Sequence, residues 1–103
     1  MTFSSPSGSA RITVAVHGEV DWDARSVFLD NLMDALDASQ QGVDLNLCDV
    51  TFWDGSALSA LLEARRHAAA STKTLVLAAT SPIVRRVLEL TDTADLFTDG
   101  TED

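Results

Sequence analysis

Asp54-Gly55-Ser56, inside the stretch TFWDGSALSALLEAR (Thr51 to Arg65), sets a carboxylate and a primary hydroxyl two residues apart. They fall where an apolar strand gives way to an apolar-striped helix. An aspartate at a helix start can accept a hydrogen bond from a free backbone N–H of the first turn. A serine just inside that start stands at the positive end of the helix dipole, among unpaired N–H groups. Phosphorylation of Ser56 would add about −1.5 to −2 units of charge there. The phosphate would find donors but would also meet Asp54, so two effects oppose each other. Such a change could reverse binding to a partner and leave the fold intact. Spacing alone also allows a plainer origin, because serine suits first turns.

Other reactions fit the residues less well. A nucleophile elbow needs glycines two positions before and after its serine, where Asp54 and Leu58 stand. His67 lies eleven residues along the same helix, roughly 16 Å away, and His17 closes a different strand without an evident orienting carboxylate. Hydrolysis is therefore not expected, nor is any enzymatic activity. Cys48, His17 and His67 lack metal-ligand spacing, and no glycine-rich loop cradles a phosphate. No metal or cofactor is expected. Asp30, Asp34 and Asp37 line one side of a helix and read as a solvated face. Trp22, in GEVDWD, is either an exposed contact anchor or a packed lid.

The elements that must position this site follow from the hydrophobic pattern. RITVAVHG alternates through Ile12, Val14 and Val16 as a strand ending at Gly18. Phe28, Leu29, Leu32, Met33 and Leu36 recur at three and four, a helix for which Gly42 is the C-cap candidate. VDLNLCDV alternates again through Val43, Leu45 and Leu47. The next helix starts near Ser56, with Leu58, Leu61, Leu62 and Ala69 inward. KTLVLAA is apolar enough for a central strand covered on both faces. Ser81 then caps a helix with Pro82 in its first position and Ile83, Val84, Val87 and Leu88 as its stripe. DLF is a candidate last strand or turn. Residues 1–10 read as a mobile start with at most a short edge strand near Phe3, and residues 98–103 as an acidic tail.

Three rounds of strand and helix imply an α/β fold with a mainly parallel sheet and right-handed crossovers. Function in such folds gathers at strand ends and helix starts on the carboxyl edge, where Asp54 and Ser56 lie. The chain has 103 residues, 46% of them hydrophobic, enough for one domain with its own core. Sixteen acidic residues against seven basic ones give a net charge of −9, which repels nucleic acid and attracts basic protein surfaces. One cysteine fits a reducing compartment. No apolar run reaches the ~20 residues that span a bilayer. The start carries no signal-peptide pattern, so the expectation is a cytoplasmic protein off the membrane.

The order strand, GEVD, amphipathic helix, VDLNLCDVTFWDGSAL, long helix, TLVLAATSPIVRRVLELT resembles the STAS domain, and more narrowly the bacterial anti-sigma factor antagonists. The likeness runs from about Arg11 to Phe97. It implies a single STAS domain over residues 1–103: a small, mostly parallel mixed sheet of 4–5 strands with 3–4 helices. It also implies partner switching. An unmodified antagonist binds an anti-sigma factor that is also a serine kinase, and so releases a sigma factor. The kinase phosphorylates the antagonist within an Asp-Ser-Ser/Thr-Gly stretch, and a metal-dependent serine phosphatase reverses this.

By that resemblance the phosphoacceptor is Ser56, with Glu19, Asp21, Trp22, Asp54, Gly55, Ser56, Ala57 and Leu58 forming the partner surface. Two departures stand out: Gly55 replaces the family's usual serine and Ala57 its glycine. Alanine is favoured over glycine inside helices by about 1 kcal/mol, so the helix start is stiffer. Those departures motivate an alternative, a STAS scaffold or ligand-sensing subunit of a larger regulatory or transport assembly that is never phosphorylated.

Overall fold

The computed structural model describes residues 2–4 and 10–97. The expected acidic tail and most of the expected mobile start lie outside them. The order is β1 (Thr2–Ser4), β2 (Arg11–Val20), α1 (Arg25–Ala38), β3 (Gly42–Trp53), α2 (Gly55–Ala70), β4 (Thr74–Thr80), α3 (Pro82–Leu90) and a 3-10 turn (Ala94–Phe97). The strands run side by side in chain order, β1-β2-β3-β4. β2, β3 and β4 are parallel, and β1 joins β2 antiparallel with Phe3 opposite Val16. The parallel body is thus three-stranded, smaller than the four- to five-stranded sheet expected. Its fourth member is only the three-residue edge segment.

Alternation decides which side of the sheet is covered. Ile12, Val14 and Val16 of β2 and Val43, Leu45 and Leu47 of β3 enter one core with Phe28, Leu32 and Leu36 of α1. Ala60, Leu61, Ala64 and Ala68 of α2, Val84 and Leu88 of α3, and Phe97 complete it. On the other side Thr13, Ala15, His17, Asp44 and Asn46 are exposed or half-exposed. At the amino end of the strands the Arg11 guanidinium binds Asp44 at 2.9 Å, Thr74 Oγ1 at 2.7 Å and the Val43 carbonyl at 3.1 Å.

Four expectations change. β4 is an edge strand in which Leu75 alone is fully buried; its apolar run does not mean cover on both faces. β2 continues past Gly18 to Val20. It does so through two register shifts against β3, between Ala15 and His17 and between Gly18 and Glu19, each with the extra residue on β3; Gly18 itself has φ 93°. Gly42 is not a helix cap: α1 ends at Ala38 with Ser39 as its cap, and Gly42 opens β3 with φ +142°. A Cβ there would sit 2.0 Å from the Thr74 carbonyl oxygen, so glycine is what lets β3 and β4 start close together. Ala69 is exposed, and Ala57, Ala60, Ala64 and Ala68 carry the inner face of α2 instead. Of the two alternatives for DLF, strand or turn, the structure takes the turn: it coils into the 3-10 segment, which buries Phe97.

Candidate functional site

β2 and β3 end together, with Val20 paired to Trp53, and each chain then turns into a helix at the carboxyl edge. Trp53 faces inward and meets Phe28 of α1 edge to face, ring centroids 5.5 Å apart at 88°. This aromatic contact fixes the end of β3 and so the start of α2. Neither aromatic residue was singled out for the site from sequence; an aromatic ending a strand just before a capping aspartate was the available signal.

Asp54 is the N-cap of α2, as its position suggested. Its Oδ1 accepts the backbone N–H of Ser56 at 3.0 Å and that of Ala57 at 3.1 Å. The same oxygen accepts the Ser56 hydroxyl at 2.6 Å, and the Leu58 N–H goes to the Asp54 carbonyl at 3.0 Å. Two of the first-turn donors expected to lie open around Ser56, its own N–H and that of Ala57, are therefore taken. A phosphate on Ser56 Oγ would displace the hydroxyl proton from Asp54 and find the Ser56 and Ala57 N–H groups already engaged. Its charge has to be met by solvent or by a partner.

The Ser56 hydroxyl bond, helped by the two N–H groups, holds the Asp54 carboxyl below its ordinary value, against a smaller upward pull from burial. A carboxylate with lowered pKa is a weak base. Asp54 thus orients the hydroxyl by accepting its proton in a hydrogen bond.

A folded pKa below the unfolded one contributes stability at pH values above the usual carboxylate range. That contribution fades as pH falls through the lowered folded value. Asp54→Ala should cost about 1 kcal/mol, or a fall in melting midpoint of about 4–8 °C in a domain of this size. Its deficit against wild type should shrink in acid. Thermal melts across pH 2–7 check both.

The other expected site residues divide. Gly55 is exposed and Ser56 partly exposed. A Cβ on Gly55 would meet nothing within 4 Å, so the space beside Gly55 is open. Ala57 is 0% and Leu58 7% exposed; both pack into the core and present little surface. Glu19 is exposed, Asp21 is half-exposed and caps the Ala24 N–H at 3.0 Å, and Trp22 is exposed, not a packed lid.

His17 does have a carboxylate, Asp49 at 3.0 Å across the β2–β3 ladder. His67 pairs with Asp37 at 2.8 Å, tying α2 to α1. The Ser56 proton nevertheless points to Asp54, so no serine–histidine pair forms. Among the described residues no group of three or more His, Cys, Asp or Glu could hold a metal, and no helix is long and apolar enough to cross a membrane.

This fold and helix-tip arrangement define a class. The chain belongs to the STAS family: the family model described as "Mlab, STAS domain" matches residues 4–98. No curated protein matches it significantly. Among solved structures it is similar to the anti-sigma factor antagonist SpoIIAA in its unphosphorylated form, with TM-score 0.77 and 22% identity over 98% of this chain and 90% of that one. The phosphorylated form of SpoIIAA, a Bacillus cell fate determinant, gives TM-score 0.67 and 22% identity over 98% of this chain and 93% of that one. An anti-sigma factor antagonist from Mycobacterium paratuberculosis gives TM-score 0.81 and 20% identity over 99% and 88%.

Proposed function

We propose that the chain is an anti-sigma factor antagonist, a non-enzymatic cytoplasmic switch whose state is set by phosphate on Ser56. Unmodified, it docks on an anti-sigma factor serine kinase through the carboxyl-edge surface and frees a sigma factor. Transfer of the ATP γ-phosphoryl group forms the Ser56 Oγ–P bond, breaks the bond to ADP and releases the hydroxyl proton. A metal-dependent serine phosphatase returns the hydroxyl. The observation that carries this reading is Ser56 itself, a partly exposed residue next to exposed Gly55, with its hydroxyl oriented by Asp54. SpoIIAA, an anti-sigma factor antagonist solved in both its unphosphorylated and its phosphorylated form, supports it by analogy of fold. The test is incubation with the source organism's anti-sigma factor kinases and labelled ATP. Label should appear on wild type and be absent from Ser56→Ala; label that persists in Ser56→Ala rejects the assignment.

Gly55 and buried Ala57, together with the name of the matching family model, favour a second reading. In it the domain is an unphosphorylated scaffold or ligand-sensing subunit of a regulatory or transport assembly. A neighbouring kinase gene of the anti-sigma type supports the first reading, and a neighbouring transporter operon the second.

A further inference from the structure

Trp22 is 67% exposed and Phe52 41% exposed, and neither joins the core or the Asp54–Ser56 hydrogen bonds. Exposed aromatics at one sheet edge are the usual material of protein contacts. Trp22 is also held in place. The turn before α1 closes with the Ala24 N–H on the Asp21 carbonyl at 3.1 Å and the Arg25 N–H on the Trp22 carbonyl at 3.3 Å. The Arg25 guanidinium lies 4.6 Å from the centre of the Trp22 ring, a cation–π contact. A side chain fixed this way loses little freedom when a partner covers it.

Phe52 is the register partner of Glu19, next to the Val20–Trp53 pair. Because Val20 and Trp53 face the core, Phe52 and Glu19 face outward. Residues 19–25 and 49–56 carry the carboxylates of Glu19, Asp21, Asp23, Asp49 and Asp54. Arg25, the cation among them, is laid on Trp22.

We infer that Trp22 and Phe52 form a two-point apolar anchor for the kinase, which meets them with aliphatic side chains rimmed by arginine or lysine. This rests on the proposed function and adds the chemistry of the partner's face. The charge is what selects the occupant. The five carboxylates on the two segments that carry Trp22 and Phe52 repel nucleic acid and anionic lipid and attract a basic protein rim.

The experiment is calorimetric titration of wild type, Trp22→Ala, Phe52→Ser and Ser56→Asp with each purified anti-sigma factor kinase of the source organism. Leu90→Ser, at an exposed position on α3, is the control. Trp22→Ala should weaken binding by at least ~30-fold, the size of an anchor residue, with Leu90→Ser at wild-type affinity. The remaining affinity should fall with added salt. Wild-type affinity in both Trp22→Ala and Phe52→Ser, with Ser56→Asp weakened, overturns the anchor and spares the switch. Loss in Trp22→Ala with Ser56→Asp unaffected keeps the anchor and rejects the switch. No binding of wild type to any of these kinases rejects both.

Discussion

Ser56→Asp is expected to bind the kinase about 100-fold more weakly than wild type, a loss of ~3 kcal/mol of the kind that crowded like charges impose on an interface. The reason is local. Asp54 Oδ1 already holds the N–H groups of Ser56 and Ala57, so a new carboxylate finds few donors and a charged neighbour. On the free protein the new charge turns toward water, and the helix dipole partly offsets its repulsion from Asp54. The melting midpoint should therefore stay near wild type. Ser56→Ala gives up one hydrogen bond, worth about 0.5–1.5 kcal/mol, and should bind as unmodified wild type does, and keep binding when ATP is added to the kinase. Titration and thermal melts together separate a charge effect from a folding effect. A mimic that binds like wild type contradicts charge switching.

Gly42→Ala should be the most damaging single methyl in the chain. The left-handed φ of +142° strains any side chain, and the new Cβ would meet the Thr74 carbonyl at 2.0 Å, a backbone atom that moves only if β4 moves. The two together should cost about 3 kcal/mol or more, lowering the melting midpoint by more than ~10 °C in a domain of this size. Gly55→Ala is the matched control, since a Cβ there meets nothing within 4 Å; calorimetry should find it close to wild type. Equal melting of Gly42→Ala and wild type would mean that β3 and β4 do not begin as closely as described.

The two glycines show how far the sequence could be read. Gly42 follows an amphipathic helix and precedes an alternating strand, so its neighbours fit a cap and a strand start alike. Only the approach of Thr74, 32 residues away, decides between them. The same holds for β4: an unbroken apolar run reads as a central strand, but its place at the edge depends on how many strands follow it. Local information did suffice for Asp54, because capping is a contact between residues two and three apart.

The residues proposed from sequence as a partner surface divide in the structure. Glu19, Asp21, Trp22, Gly55 and Ser56 come to the carboxyl edge, whereas Ala57 and Leu58 turn inward because the helical stripe of α2 begins at its first turn. Phe52 escaped notice because two extra residues on β3 break that strand's two-residue alternation towards Trp53. The Asp49 partner of His17 was hidden for the same reason.

One hydroxyl, oriented by one carboxylate at the tip of α2, is the center of the account. Trypsin cuts after Arg25 and Arg65 and leaves Ser26–Arg65 as a single peptide, with Ser26, Ser39, Thr51, Ser56 and Ser59 its hydroxyl residues. Fragmentation of that peptide, from cells in which the protein is made together with its kinase, reads the modified position directly. The account predicts one phosphate, on Ser56. A peptide that stays unmodified in those cells, or that carries its phosphate on another of these residues, contradicts it.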